Sequence, residues 1–229
     1  MINLRRSDER GHVETGWLQS WHSFSFGSYY DPRYMGVSVL RVLNEDHVAP
    51  GAGFETHPHR DMEILTYVQN GVLEHRDSMG NVGRLKAGEF QVMTAGTGIT
   101  HSEYNGSARQ PLRFLQIWIR PNRQGLTPGY RQLNGLDNNS GVHLVASPDG
   151  RSGSLLIHQD VLLSHFRLNA GESLEVGSAE GRTAYVHLTE GALDLGDTVI
   201  RAGDGAVVTD DGVEAIARLS SGGLLFDLP

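Results

Sequence analysis

Three observations predict an all-β chain folded as two antiparallel β-barrel domains. Short runs rich in β-branched and aromatic residues recur along the chain, separated by Gly, Asn and Pro turn signals. No stretch carries a long apolar period near 3.6 residues, so helices are not expected. The two halves also echo each other. Gly71-Val72-Leu73 continuing to Leu85-Lys86-Ala87-Gly88-Glu89 resembles Gly191-Ala192-Leu193 continuing to Ile200-Arg201-Ala202-Gly203-Asp204. Each copy reads as a hairpin, a strand and an Ala-Gly-acid turn, which indicates duplication. A length of 229 residues accommodates two domains of this kind. We place them at residues 1–130 and 131–229, with a linker by composition at 121–129.

Residues 1–36 read as irregular, punctuated by Gly11, Gly16, Gly27, Pro32 and Gly36. The aromatics Trp17, Trp21, Phe24, Phe26, Tyr29, Tyr30 and Tyr34 lie among them, so this segment is expected to wrap over a hydrophobic surface. Core packing is the favoured role, with a pocket lid as the alternative. His22 is read as a packed structural residue, with support of a metal ligand as the alternative. From Gly36 the pattern turns to strands: residues 37–43, then 63–69, the Asn70-Gly71 hairpin turn and the return strand 72–77. Further strands are expected at 82–85, 89–93 and 112–119. In the second half they fall at 142–145, 155–158, 163–168, 184–188, 206–208 and 224–228.

Composition removes several classes of function. There are no cysteines, which excludes disulfides, thiolate metal sites and cysteine nucleophiles. The formal charge is −8 and no Lys/Arg cluster appears beyond Arg5-Arg6, which argues against nucleic acid and anionic membranes. No apolar run approaches the roughly 20 residues that span a bilayer. The opening Met1–Asp8 stretch has no apolar core, so it is not read as a secretory signal. A cytoplasmic protein acting on a small molecule is the default.

Two stretches carry the chemistry: Thr56-His57-Pro58-His59 and Thr100-His101-Ser102-Glu103. A β-strand sends residues i and i+2 to one face. His57 and His59 then point one way from one strand, and His101 and Glu103 one way from another. Side by side, such strands aim three imidazoles and a carboxylate at one point. That donor set suits a divalent transition metal with one or two open positions. Pro58 cannot donate to a ladder, so its strand should be bulged or at an edge. Glu63 is a second candidate carboxylate, and parity alone does not choose between it and Glu103. The second half has no His-x-His pair; His158, His165 and His187 stand singly. It is read as a scaffold without a metal.

The spacing Gly51, His57-x-His59, Glu63, followed by Gly88 to Gly98, His101 and Asn105, resembles the two cupin motifs. Within cupins the chain resembles the pirin family, especially its bacterial quercetinase-like members, through Thr56–His59, Glu74–Ser78 and Met93–Glu103. The resemblance implies a bicupin with one metal, bound by His57, His59, His101 and Glu103. It also implies opening of the central ring of a flavonol such as quercetin by O₂, with loss of CO. Quercetin is then either the substrate or a surrogate for it. Glu103 would act both as ligand and as base for the 3-hydroxyl proton. Fe(II) is the favoured ion, with Mn, Co, Ni, Cu and Zn as alternatives. The expected partners are a small aromatic or flavonol-like substrate and O₂, and the chain is expected to be a monomer. The alternative function is a metal-dependent redox-sensing or regulatory protein without turnover.

Overall fold

The computed structural model describes residues 1–136, 139–177, 179–209 and 212–229. Strands dominate, with short 3-10 turns at Ser7–Glu9 and Arg151–Gly153. Among the described residues no helix is long and apolar enough to cross a membrane.

The first half is built on a seven-stranded sheet in the order Gly129–Leu133, Phe90–Thr94, Glu63–Asn70, Leu112–Ile119, Leu40–Val48, Leu18–His22, Gly11–Glu14. Facing it is a four-stranded sheet in the order Gly53–His59, Ile99–Asn105, Val72–Asp77, Val82–Lys86. The second half repeats the plan. Its seven strands are ordered Ile2–Arg5, Gly205–Val208, Thr183–Glu190, Ser221–Leu228, Leu162–Leu168, Gly141–Ser147, Leu155–Leu156. Its four are Ser173–Val176, Val213–Ala217, Ala192–Leu195 and Thr198–Arg201. The expectation of two all-β cupin units holds, with one change in detail. The sheets face one another as a sandwich and do not close into a barrel. Pairing is antiparallel except between Gly141–Ser147 and Leu155–Leu156.

The repeated hairpins are superimposable in kind: Gly71 and Gly191 both have φ of 86°. A Cβ at Gly71 would also lie 2.6 Å from the Pro111 carbonyl oxygen, so glycine is required there on two counts. Strand alternation then sorts the side chains. From Glu63–Asn70, Leu65 and Tyr67 face the second half, while Thr66 and Val68 face the smaller sheet. Leu65, Leu115 and Ile117 join Val145, Leu163, Leu224 and Phe226 in one buried cluster that binds the halves together. Tyr67 Oη also meets His165 Nε2 across this junction at 3.1 Å.

Two strands cross between the halves. Ile2–Arg5 pairs with Gly205–Val208 in the second sheet system, and Gly129–Leu133 pairs with Phe90–Thr94 in the first. They occupy matching outer positions next to matching strands. Arg6 reinforces the first crossing through Asp204, at 2.9 Å.

The opening segment differs from its irregular reading, since it contains the strands Ile2–Arg5, Gly11–Glu14 and Leu18–His22. The strand expected from residue 37 starts at Leu40, because Val37 and Leu40 bond reciprocally around Ser38, whose φ is 50°.

Candidate metal centre and its cavity

The strand Gly53–His59 lies at the edge of the smaller sheet, where Pro58 leaves no neighbour without a donor. It pairs with Ile99–Asn105 so that His57 stands directly opposite His101. The register then slips: Glu103 lies opposite Phe54, so one extra residue of the edge strand is bulged out between them. Pro58 is therefore at an edge, and the bulge falls beyond it. The imidazoles of His57, His59 and His101 pack as a trio, with ring centroids 4.5–4.9 Å apart. One ligand atom from each falls within 4.8 Å of the others.

The rings are held with lone pairs available. His57 Nδ1 donates to the Glu55 carbonyl at 2.7 Å, which leaves Nε2 as its free acceptor. His101 Nδ1 lies 3.5 Å from His75 Nδ1, and His75 Nε2 lies 3.1 Å from Asp77 Oδ2. Asp77 is itself fixed by the Met79 and Asn81 amides. Burial alone would raise the Asp77 pKa, but the bonds from Asn81 and His75 outweigh it and hold the carboxyl below its ordinary value. A carboxylate accepting from His75 Nε2–H lets His75 Nδ1 accept from His101, which directs the His101 lone pair to Nε2. That Nε2 is buried and has no partner among the described residues. Burial, and then proximity to the neighbouring imidazoles, lowers the pKa of His59 to about 4 and of His101 to about 3. Neutral, converging imidazoles with an unpartnered nitrogen fit a divalent metal ion.

Glu103 is 2 % exposed and belongs to a neighbouring set with His101 and His75, whose ligand atoms also fall within 4.8 Å. It lines the same cavity as His57 and His59. Its carboxylate accepts from Gln116 Nε2 at 2.7 Å, Gln91 Nε2 at 3.1 Å and Thr66 Oγ1 at 3.2 Å. These three donors are neutral, so they aim the carboxylate without cancelling its charge. Tyr130 supports the arrangement by donating to Gln91 Oε1 at 2.9 Å and stacking on His75.

Glu63 lies elsewhere. The chain turns through Asp61, with φ of 49°, and Glu63 begins a strand of the other sheet. Its carboxylate meets Thr94 Oγ1 at 3.0 Å and His158 Nδ1 of the second half at 3.3 Å. Burial raises its pKa, partly offset by those contacts. Strand parity fails as a guide here because residues 57 and 63 do not share one unbroken strand.

The cavity beside the histidines holds about 230 Å³. His59, Trp118 and Phe26 form successive edge-to-face contacts along its wall, at 5.0 and 5.3 Å between centroids. Phe26, Gly27 and Ser28 bring the opening segment into this wall, while Phe24 is buried against Tyr185 of the second half. The aromatic segment thus packs in the core at Phe24 and lines the cavity at Phe26.

Sequence reasoning missed the inner face of the larger sheet. His22, Asn44, Gln116, Thr66 and Gln91 are direct neighbours on five successive strands, forming one polar row. Beside its near end, Ser20 and Asp46 pair directly and share a very short hydrogen bond. Burial raises the Asp46 pKa to about 7. The only local signal was an i, i+2 pair, Asn44-x-Asp46, in a segment that reads as loop.

Two sandwiches of equivalent topology, one enclosing a histidine trio beside a cavity, define a bicupin with a metal-type centre in its first half. The chain belongs to the pirin family. Residues 3–119 match the family described as Pirin, and residues 144–228 match the Quercetinase C-terminal cupin domain. It is 49% identical over 230 residues to a protein of Escherichia coli (strain K12) named quercetin 2,3-dioxygenase, covering 100% of this chain and 99% of the other. A pirin-like protein of Caulobacter vibrioides is 38% identical, with 98% of each chain covered. The crystal structure of the bacterial pirin YhhW from Escherichia coli in complex with nickel(II) matches with a TM-score of 0.96 and 47% identity, covering 100% of this chain and 99% of that one.

Proposed function

We propose that this protein is a metal-dependent dioxygenase that opens the central ring of flavonols such as quercetin with O₂. The observation that carries the reading is the convergence of His57, His59 and His101 on one point at the wall of an aromatic-lined cavity that also contains Glu103. The names of the relatives support the same activity. We assign His57, His59, His101 and Glu103 as the residues that would hold the ion. A divalent metal bound there supplies Lewis-acid and O₂-activating chemistry, and Fe(II) is the ion we favour among those that accept such donors.

The chain's own contributions follow from its geometry. Glu103 accepts the proton of the flavonol 3-hydroxyl as general base. Gln116, Gln91 and Thr66 hold its carboxylate in place before and after that transfer. Trp118 and Phe26 give the substrate rings an apolar wall and keep water away from them. The His75–Asp77 pair fixes the orientation of His101. The regulatory alternative without turnover is not favoured, since the relatives of 49% identity carry an enzyme's name.

We infer further that a flavonol-like substrate and O₂ are its partners, without nucleic acid or membrane, and that the chain acts in the cytoplasm as a monomer. The net charge of −8 argues against nucleic acid and anionic membranes, and the lack of cysteine suits a reducing compartment. The test of the activity is O₂ uptake with quercetin after reconstitution with Fe, Mn, Co, Ni or Cu. Ring opening with at least one metal is expected. A fully loaded protein that turns over with none of them would refute the assignment.

A further inference from the structure

The polar row on the inner face of the larger sheet is used unevenly. Gln116, Thr66 and Gln91, at one end, are committed to Glu103. Asn44 and His22, the next two positions, are not, although they are only 2 % and 4 % exposed. Asn44 Oδ1 has no partner among the described residues, and neither does His22 Nδ1. Leaving a buried polar atom unpaired costs about 1–3 kcal/mol, so two neighbouring ones in a cavity wall imply a missing partner.

The hydrogen-bond chain fixes what kind of partner. With Asp46 ionised, Ser20 Oγ donates to Asp46 Oδ1, and its oxygen then accepts from His22 Nε2, 2.8 Å away. A neutral His22 with its proton on Nε2 presents Nδ1 as an acceptor. Asn44 Oδ1 is an acceptor as well. Both residues line the cavity that holds His57, His59 and Glu103. The missing partner must therefore bring hydrogen-bond donors, and a cavity walled by Phe26 and Trp118 selects an aromatic one. His22 lies two strands from Gln116, about 10 Å across the sheet, which is the scale of a three-ring flavonoid lying with one edge at Glu103.

We propose that Asn44 and His22, backed by Ser20 and Asp46, form a second recognition locus that accepts hydrogen bonds from phenolic hydroxyls at the end of the substrate remote from the metal-binding edge. The inference rests on the flavonol reading above and specifies which flavonols the site prefers: those with free hydroxyls on their outer rings.

The experiment compares quercetin with 3-hydroxyflavone, which keeps the same 3-hydroxy-4-keto edge and lacks the outer phenols. Metal-loaded protein is titrated without O₂, and quenching of tryptophan fluorescence gives Kd, Trp118 being in the cavity wall. The parent protein is expected to favour quercetin by about tenfold or more, since a tenfold ratio corresponds to about 1.4 kcal/mol, one or two net hydrogen bonds. Asn44→Leu and His22→Phe, made separately, are each expected to reduce that ratio below about threefold while the metal content stays that of the parent. His22→Phe also removes the Nε2 contact with Ser20, whereas Asn44 Oδ1 has no hydrogen bond to lose among the described residues, so Asn44→Leu is the variant expected to fold, and Asn44→Ala serves if it repacks. Equal affinities in the parent, a ratio unchanged in the variants, or no binding of either flavonol overturns the locus. O₂ uptake in parallel separates the two readings. Turnover with an unchanged ratio rejects the locus and keeps the dioxygenase, whereas a ratio that collapses in the variants without any turnover keeps the locus and rejects the dioxygenase.

Discussion

The two halves share a strand order and differ in what their interiors hold. Register makes the comparison residue by residue. Ala215 pairs with Leu195 as Glu103 pairs with His75, and Val213 stands two residues before Ala215 as His101 does before Glu103. Leu225, Val186 and Ala206 form the cross-strand row that Gln116, Thr66 and Gln91 form in the first half. Phe166 takes the place of Asp46, judged by its pairing with Gly223. Nearly every polar group around the centre is thus an aliphatic or aromatic one in the second copy, and these residues fill a continuous apolar cluster. One copy retains polar groups that cost stability and can do chemistry. The other converts the same positions into packing.

Making the first half resemble the second tests this directly. His101→Val and Glu103→Ala copy Val213 and Ala215. Both should stay folded, lose bound metal by elemental analysis and lose turnover by about 10³-fold, within the range of a positioned base or ligand. Unfolding of His101→Val would instead make the centre structural. The second half should respond oppositely. Leu193→Ala, at a fully buried position, should lower stability by about 2–5 kcal/mol in urea unfolding while metal per chain stays the same. A loss of metal in that variant would mean that the second half shapes the site.

A smaller effect is expected from His75→Leu, which copies Leu195 and removes the link between Asp77 and His101. Metal affinity should weaken by about 10–100-fold, as for other residues that orient ligands. An unchanged affinity would reduce His75 to a packing residue. The smallest effect concerns Asp46. Burial raises its folded-state pKa from 3.8 to about 7, so the stability it contributes is full below about pH 4 and is lost as pH rises through about 7. Linkage bounds that loss at about 4 kcal/mol. Burying an uncharged amide takes back about 1–3 kcal/mol. Asp46→Asn should therefore gain on the order of 1 kcal/mol at pH 8 and lose about 1–3 kcal/mol at pH 4, where the carboxyl is already neutral and only the cost of burying the amide remains. An equal gain at both values would exclude ionisation as the cause.

The histidine spacing was legible because strand parity is local: two residues apart means one face, whatever the rest of the chain does. The Asn70-Gly71 hairpin and the aliphatic strands were legible for the same reason. The strands that build the cavity were not. Leu18–His22 and the end of Leu40–Val48 turn Ser20, His22, Asn44 and Asp46 inward, so the usual apolar-in alternation is reversed and the segments read as loops. Function thus concealed the structure that supports it. Glu63 stayed open as an alternative to Glu103 for a different reason: parity along residues 57–63 does not show that the turn at Asp61 moves it to another sheet. The role of Gln91 and Gln116 depends on pairings between strands distant in sequence, which no window of residues contains.

The strand Ile2–Arg5 has a consequence for how the chain reaches its final form. Its pairing partners, Gly205–Val208, are synthesised some 200 residues later. During translation Ile2–Arg5 has no partner strand until Gly205–Val208 is made, while the aliphatic strands of the first half can already pair. Ile2–Arg5 therefore cannot dock, nor Arg6 and Ser7 meet Asp204, before Gly205–Val208 has been made. Cutting the chain near residue 130 would strip the second sandwich of an edge strand that only the far end of the molecule can supply.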